Sequence, residues 1–128
     1  MSQFTTKLDV ALVGKNLWEL QEGFEYHVGY LGSGEIIIVP AGFITDFASV
    51  PRIFWPIIDP IGKHGKAAVI HDYCYYTACY RRLRSDAIFL EAMEVLEVEE
   101  WKRIAMYNSV VTFGWWAWYK HRYREYRT

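Results

Sequence analysis

The sequence is short of cysteine, of net charge and of long hydrophobic runs, and each shortage excludes something. Two cysteines, Cys74 and Cys79, cannot build a disulfide framework. Both fall in one predicted helix, five residues apart, which turns them to different sides and places them poorly for bonding to each other. A fold that needs no oxidation is expected, in a reducing compartment. Lys and Arg total 14 against 15 Asp and Glu, a formal net charge of −1, so the chain as a whole is not drawn to nucleic acid or to an anionic membrane. The longest apolar run, residues 110–119, is broken by Thr112 and Gly114 and is about half of the ~20 residues a spanning helix needs. The opening MSQFTTKLDV has neither a basic nor an apolar region, so export by a signal peptide is not expected. P-loop, dinucleotide and G-x-S-x-G signatures are absent.

Aromatic residues are what the chain has in excess: 6 Trp, 10 Tyr and 7 Phe, or 18% of 128 residues. With 52% of the chain hydrophobic, one domain over residues 1–128 can bury a core without staples. Phe24, Tyr26, Val28 and Tyr30 alternate with Glu25, His27 and Gly29, the period of a half-buried strand. Gly32-Ser33-Gly34 turns the chain into a return strand over residues 35–39, and residues 5–13 and 17–20 supply further strand pieces. All four prolines (40, 51, 56 and 60) interrupt the apolar stretch 40–60, where no regular element fits. Three helical patterns follow. The first, from 66 to about 80, is apolar on most sides and therefore central. The second opens at Ser85 as N-cap, with Phe89, Ala92, Met93 and Leu96 inward and Glu91, Glu94 and Glu97 in solvent. The third runs from 99 to about 119, with Trp101, Ile104, Ala105, Val111 and Trp115 as its buried stripe. The expected fold class is α+β: a small antiparallel sheet in the N-terminal half, packed on a bundle of about three helices in the C-terminal half.

The stretch that points to chemistry is His71-Asp72-Tyr73-Cys74-Tyr75, followed by Asp86. His71 and Tyr75 are four apart and share a helix face. Asp72 is rotated by about 100° and serves a different partner. Asp86 is in register with Phe89, Met93 and Leu96, so its carboxylate faces the core and requires donors. His71 and Tyr75 are the candidates, and an Asp that orients a His makes that His a general base. Asp46 sits among apolar residues in the irregular stretch. If that stretch folds over the central helix, Asp46 and Asp72 share a hard cation through oxygen ligands. Taken singly, each acid has a structural explanation: a first-turn acid at Asp86, a turn cap at Asp46. A zinc site from His64, His71 and Asp72 is weaker, because Gly62 and Gly65 leave His64 in a loop. His27 and His121 are expected in solvent.

Two resemblances rest on these residues. The run Val39-Pro40-Ala41-Gly42-Phe43, with Thr45-Asp46-Phe47-Ala48-Ser49-Val50-Pro51, then Ala67-Ala68, His71-Asp72, Tyr75, Asp86 and Met93, resembles domain of unknown function 1353 over residues 17–114. That family is encoded largely by bacteriophages and prophages. The resemblance implies a phage origin, with the host cytoplasm or the virion as location. The second is local. His71-Asp72-x-Cys74-Tyr75 with a later Asp86 is similar to the active-site helix pair of secreted phospholipases A2, without that family's disulfides or glycine-rich calcium loop. By this likeness His71 activates the attacking water, Asp86 and Tyr75 hold the His, and Asp72, with Asp46, binds Ca2+ rather than Zn2+.

Residues 101–128 hold nine aromatics and six bases against one acid, whereas residues 85–100 hold six acids and no base. Either the aromatics cover the core and the bases pair with the acidic helix, or Trp115, Trp116, Trp118, Arg122 and Arg124 form a surface for a lipid interface or another protein. Nucleic acid is disfavoured, since no binding motif accompanies the rings. The function expected is a phage-encoded hydrolase-like protein acting on the host envelope, with lipid ester as substrate class. The alternative is a non-catalytic virion or assembly component, tail or capsid associated, whose His/Asp cluster is structural.

Overall fold

The computed structural model describes Phe4 and residues 10–14, 17–45 and 65–127, with side chains through Lys120 and at Arg122. Among the described residues it is an α+β arrangement of five strands followed by four helices: β1 (Val10–Gly14), β2 (Leu17–Leu20), β3 (Phe24–His27), β4 (Ile36–Val39), β5 (Ile44–Thr45), α1 (Gly65–Thr77), α2 (Arg82–Val95), α3 (Glu100–Phe113) and α4 (Trp115–Arg127). Every sheet contact among the described strands is antiparallel. The strands form a sheet of order β1-β2-β5 and a separate β3-β4 hairpin.

The hairpin follows its sequence pattern. Phe24 pairs with Val39 and Tyr26 with Ile37, and all four are buried, while the alternate pairs Glu25–Ile38 and His27–Ile36 face outward. Left-handed backbone at Gly32 and Gly34, with Ser33 N–H donating to the Tyr30 carbonyl, closes the turn. His27 is mostly covered rather than solvated, because its Nδ1 accepts from the Gly32 N–H at 3.2 Å. Within the stretch expected to lack regular structure, Ile44 and Thr45 pair with Glu19 and Trp18 of β2. A strand this short leaves no period for a sequence reading to detect. Residues 46–64 lie outside the described region.

α1 is buried on most sides, as its composition requires, and packs against α2, α4 and the strands. α2 starts three residues before the expected cap. Ser85 lies within its first turn, and its hydroxyl donates to the Arg81 carbonyl. Placing basic residues in a first turn works against the helix dipole. Here Arg82 reaches the Val110 and Val111 carbonyls at the end of α3, and Arg84 pairs with Glu35 at 2.9 Å. Glu91 is not a solvated acid either: the Tyr26 hydroxyl donates to it at 2.5 Å and the Gly29 N–H at 2.8 Å, joining hairpin to helix.

The third predicted helix is two helices. α3 ends at Gly114, and its buried line is Met106 and Val110, with Ala117 next on α4. Trp101 is 63% exposed, and Ile104 and Trp115 are also exposed. The expected stripe was phased wrongly because the large aromatics dominated it, whereas the core here admits smaller side chains. Gly114 stands at the break, and a Cβ on it would collide with the Tyr75 hydroxyl and the Val110 carbonyl oxygen. In a helix Ala normally outperforms Gly by about 1 kcal/mol. Gly114→Ala should nonetheless destabilise, by about 1–3 kcal/mol of overpacking in urea unfolding. A stabilised variant would show that Tyr75 does not occupy this notch.

Candidate functional site

The site assembles where α1 crosses the start of α2. His71 and Tyr75, one turn apart on α1, point to the same carboxylate. His71 Nε2 lies 2.7 Å from Asp86 Oδ1, and the Tyr75 hydroxyl donates to the same oxygen at 2.6 Å. Arg82, four residues before Asp86 on α2, brings its Nη1 to 3.5 Å from Oδ2. His71, Tyr75 and Asp86 are all 0% exposed. A carboxylate only accepts, so Nε2 carries the shared hydrogen and Nδ1 of a neutral His71 carries the lone pair. Burial, and then the hydrogen bond to Asp86, push the Tyr75 phenol far above its usual value. The His71 ring is clamped between Tyr75 and Phe89, with centroids at 4.3 and 4.6 Å.

Asp72 faces the sheet, as its rotation from His71 requires. The Thr45 hydroxyl of β5 donates to its Oδ2 at 2.6 Å, and both residues are buried. Asp72 therefore ties β5 to α1. Asp46, its expected partner for a cation, lies outside the described residues, as do His64 and Ser49. Asp72 is an oxygen donor suited to a hard cation. Among the described residues, however, no group of three or more His, Cys, Asp and Glu could hold a metal ion, so these residues do not by themselves make a calcium site.

The aromatic tail divides. Trp115 and Trp116 are exposed, but Trp118 and Arg122 turn inward. Trp118 stands edge-on to Tyr75 at 5.2 Å, and Arg122 Nη2 donates to the Tyr75 and Tyr76 carbonyls at 2.9 and 2.6 Å. Those carbonyls lie in the last turn of α1, where a cation is the natural cap. The side chain of Arg124 is outside the described set. The supporting roles of Arg82, Gly114, Trp118 and Arg122 were missed from sequence. Two signals were present: the four-residue spacing of Arg82 and Asp86, and a glycine interrupting a helical pattern.

The described site falls almost wholly within the region, residues 18–110, that matches the model for "Protein of unknown function (DUF1353)". The chain belongs to the DUF1353 family. It is also 41% identical over 78 residues to the uncharacterized protein y4jT of Sinorhizobium fredii (strain NBRC 101917 / NGR234), covering 59% of this chain and 23% of that one. This DUF1353 chain thus spans under a quarter of the length of that relative. No solved structure matches it. Among the described residues, no helix is long and apolar enough to cross a membrane.

The network sets a stability expectation. Tyr75→Phe deletes a buried hydrogen bond to a charged acceptor and should cost about 1.5–3 kcal/mol at neutral pH. Its pH dependence is separable. The folded-state value of Tyr75 is raised above 10, so its contribution is complete below pH 10 and is lost as pH climbs further. Above that pH, Tyr75→Phe should remove about 1.4 kcal/mol per pH unit from the alkaline decline of stability. Urea midpoints measured from pH 9 upward read this directly; parallel curves for the two proteins would place the Tyr75 hydroxyl in water.

Proposed function

We propose that this DUF1353 protein is a phage-encoded hydrolase that acts on the host envelope, with lipid ester as its substrate class and the host cytoplasm or virion as its location. The observation that carries the reading is the single Asp86 oxygen taking both His71 Nε2–H and the Tyr75 hydroxyl. That arrangement fixes ring orientation and tautomer, as a general base that activates water requires. The burial of His71 and Asp86, with Arg82 beside them, supports the same reading, because buried charge is costly where packing alone is needed. The envelope is supported by the exposed aromatics at the end of α3 and on α4, with Trp116, 59% exposed, lying beneath Lys120. Ring and cation together suit a headgroup boundary. Ca2+ on Asp72, with Asp46 as a further oxygen ligand, belongs to this proposal.

A second reading, a non-catalytic virion or assembly component, is favoured by the complete burial of His71, Tyr75 and Asp86. The two part on one variant. If His71 is the base, His71→Asn keeps the fold and lowers fatty-acid release from mixed phospholipid vesicles by about 10²–10⁴. Chelation lowers the release by wild type if the cation takes part. If the cluster is structural, wild type releases no fatty acid with calcium or with chelator, and His71→Asn melts earlier by about 1–3 kcal/mol. That combination would overturn the hydrolase.

A further inference from the structure

One face of the last two helices is exposed, largely apolar and without charge. From 101 to 119 the chain holds two charged residues, Lys102 and Arg103. Both turn aside: Lys102 pairs with Glu99 at 3.0 Å, and Arg103 Nη1 donates to the Val98 carbonyl at 3.0 Å. Met106, Val110, Gly114 and Ala117 are buried at helical spacing, so α4 continues the phase of α3 through the break. Gly114 keeps right-handed backbone, with φ −64° and ψ −17°. Its N–H donates to the Val110 carbonyl at 2.8 Å, and the Trp118 N–H donates to the Gly114 carbonyl at 3.0 Å. The opposite face is Trp101, Ile104, Asn108, Thr112, Trp115 and Tyr119, all exposed. Their steps of three and four residues are the period of a helix-packing seam. Trp101, Ile104 and Trp115 belong to the stripe that the sequence marks as buried, yet the single chain leaves them in solvent.

We propose that a second copy of this chain covers the seam, the two α3–α4 faces lying antiparallel about a two-fold axis at Asn108. The seam is symmetric about that position. Trp101 and Trp115 lie seven residues to either side of it, and Ile104 and Thr112 four. An antiparallel copy therefore sets Trp101 of each chain against Trp115 of the other, and Ile104 against Thr112, at both ends at once. At the axis Asn108 meets its own counterpart. A side-chain amide both donates and accepts, so the pair satisfies itself, and a lone polar residue in an apolar seam fixes register. Charge sets the direction. The chain enters the seam past Glu97, Glu99 and Glu100, all exposed, and leaves it through residues 120–127, which hold four bases and one acid. Antiparallel packing brings the acidic entry of each copy beside the basic exit of the other, whereas parallel packing opposes like charges. Three rings and an isoleucine from each copy supply roughly 1,000 Å² of buried surface in all, at the lower bound for a specific interface, so the dimer is reversible. Phe113 and Trp116 lie off the seam and stay exposed, Trp116 being turned by about 100° from Trp115. The dimer thus leaves an aromatic surface for the envelope and does not depend on the hydrolase reading.

The test is sedimentation equilibrium of the full chain over a micromolar to submillimolar range. Wild type should rise with concentration from the 15.1 kDa of one chain toward twice that mass. Ile104→Glu should stay at the single-chain mass with an unchanged helical circular dichroism spectrum. Orientation is read by crosslinking in a Cys79→Ala background, which removes the exposed native thiol. Asn108→Cys should close a chain–chain disulfide on mild oxidation, because position 108 faces itself across the axis. Trp101→Cys should not, because the two copies of position 101 stand about 20 Å apart along the helices. Wild type that stays monomeric throughout, or a dimer that crosslinks at Trp101→Cys as readily as at Asn108→Cys, would overturn the proposal. A monomer whose tryptophan emission shifts to the blue on phosphatidylglycerol vesicles overturns it too and assigns the seam to lipid. The wild-type mass decides even if a substituted chain fails to fold.

Discussion

One carboxylate organises the helical half of this protein. Asp86 has no exposed surface, and leaving it there without donors would cost several kcal/mol. Its donors come from two helices: His71 and Tyr75 on α1, Arg82 on its own α2. Because His71 and Tyr75 must reach the same oxygen, α1 cannot slide or rotate along α2 without breaking both bonds. The constraint spreads outward. Arg82 also holds the terminal carbonyls of α3, and the Tyr75 hydroxyl fills the notch at Gly114 where α3 gives way to α4. α4 then returns to α1 through Trp118 on the Tyr75 ring and Arg122 on the carbonyls that end α1.

Charge elsewhere serves the same purpose of joining elements. Glu91 takes the Tyr26 hydroxyl and the Gly29 N–H and so ties α2 to the hairpin, Asp72 takes the Thr45 hydroxyl and ties α1 to β5, and Arg84 pairs with Glu35. The exposed pair is worth little, and the buried carboxylates matter more. A buried acid whose donor sits on another element is destabilised by any misalignment, and that gives directional specificity that apolar packing lacks. This explains how a chain with nearly balanced charge and an aromatic-rich core fixes one arrangement of short elements.

The hydrolase proposal and the structural reading draw on the same bonds. An acid that orients a histidine for chemistry also clamps two helices, so stability alone cannot choose between them, whereas turnover can.

Several parts of this fold were legible from residue spacing. The inward face of α2, with Asp86 in line with Phe89 and Met93, follows from the helical period. So does the pairing of His71 with Tyr75, four apart on one helix. Together they made His71 and Tyr75 the candidate donors for Asp86, because a core-facing carboxylate requires partners. The alternation of Phe24 and Tyr26 likewise defined the buried face of the hairpin. Tertiary structure decided what depends on neighbours distant in sequence or on where an element ends. Glu91 reads as a solvent-facing acid until a tyrosine 65 residues away is brought to it. Trp118 and Arg122 fit either a core cover or a surface until the end of α1 supplies a ring and two carbonyls for them. Gly114 marks a break, but the hydroxyl that excludes a side chain there comes from another helix. Period reports which face of an element is apolar, while only the folded chain sets where that element stops and which distant group satisfies its polar atoms.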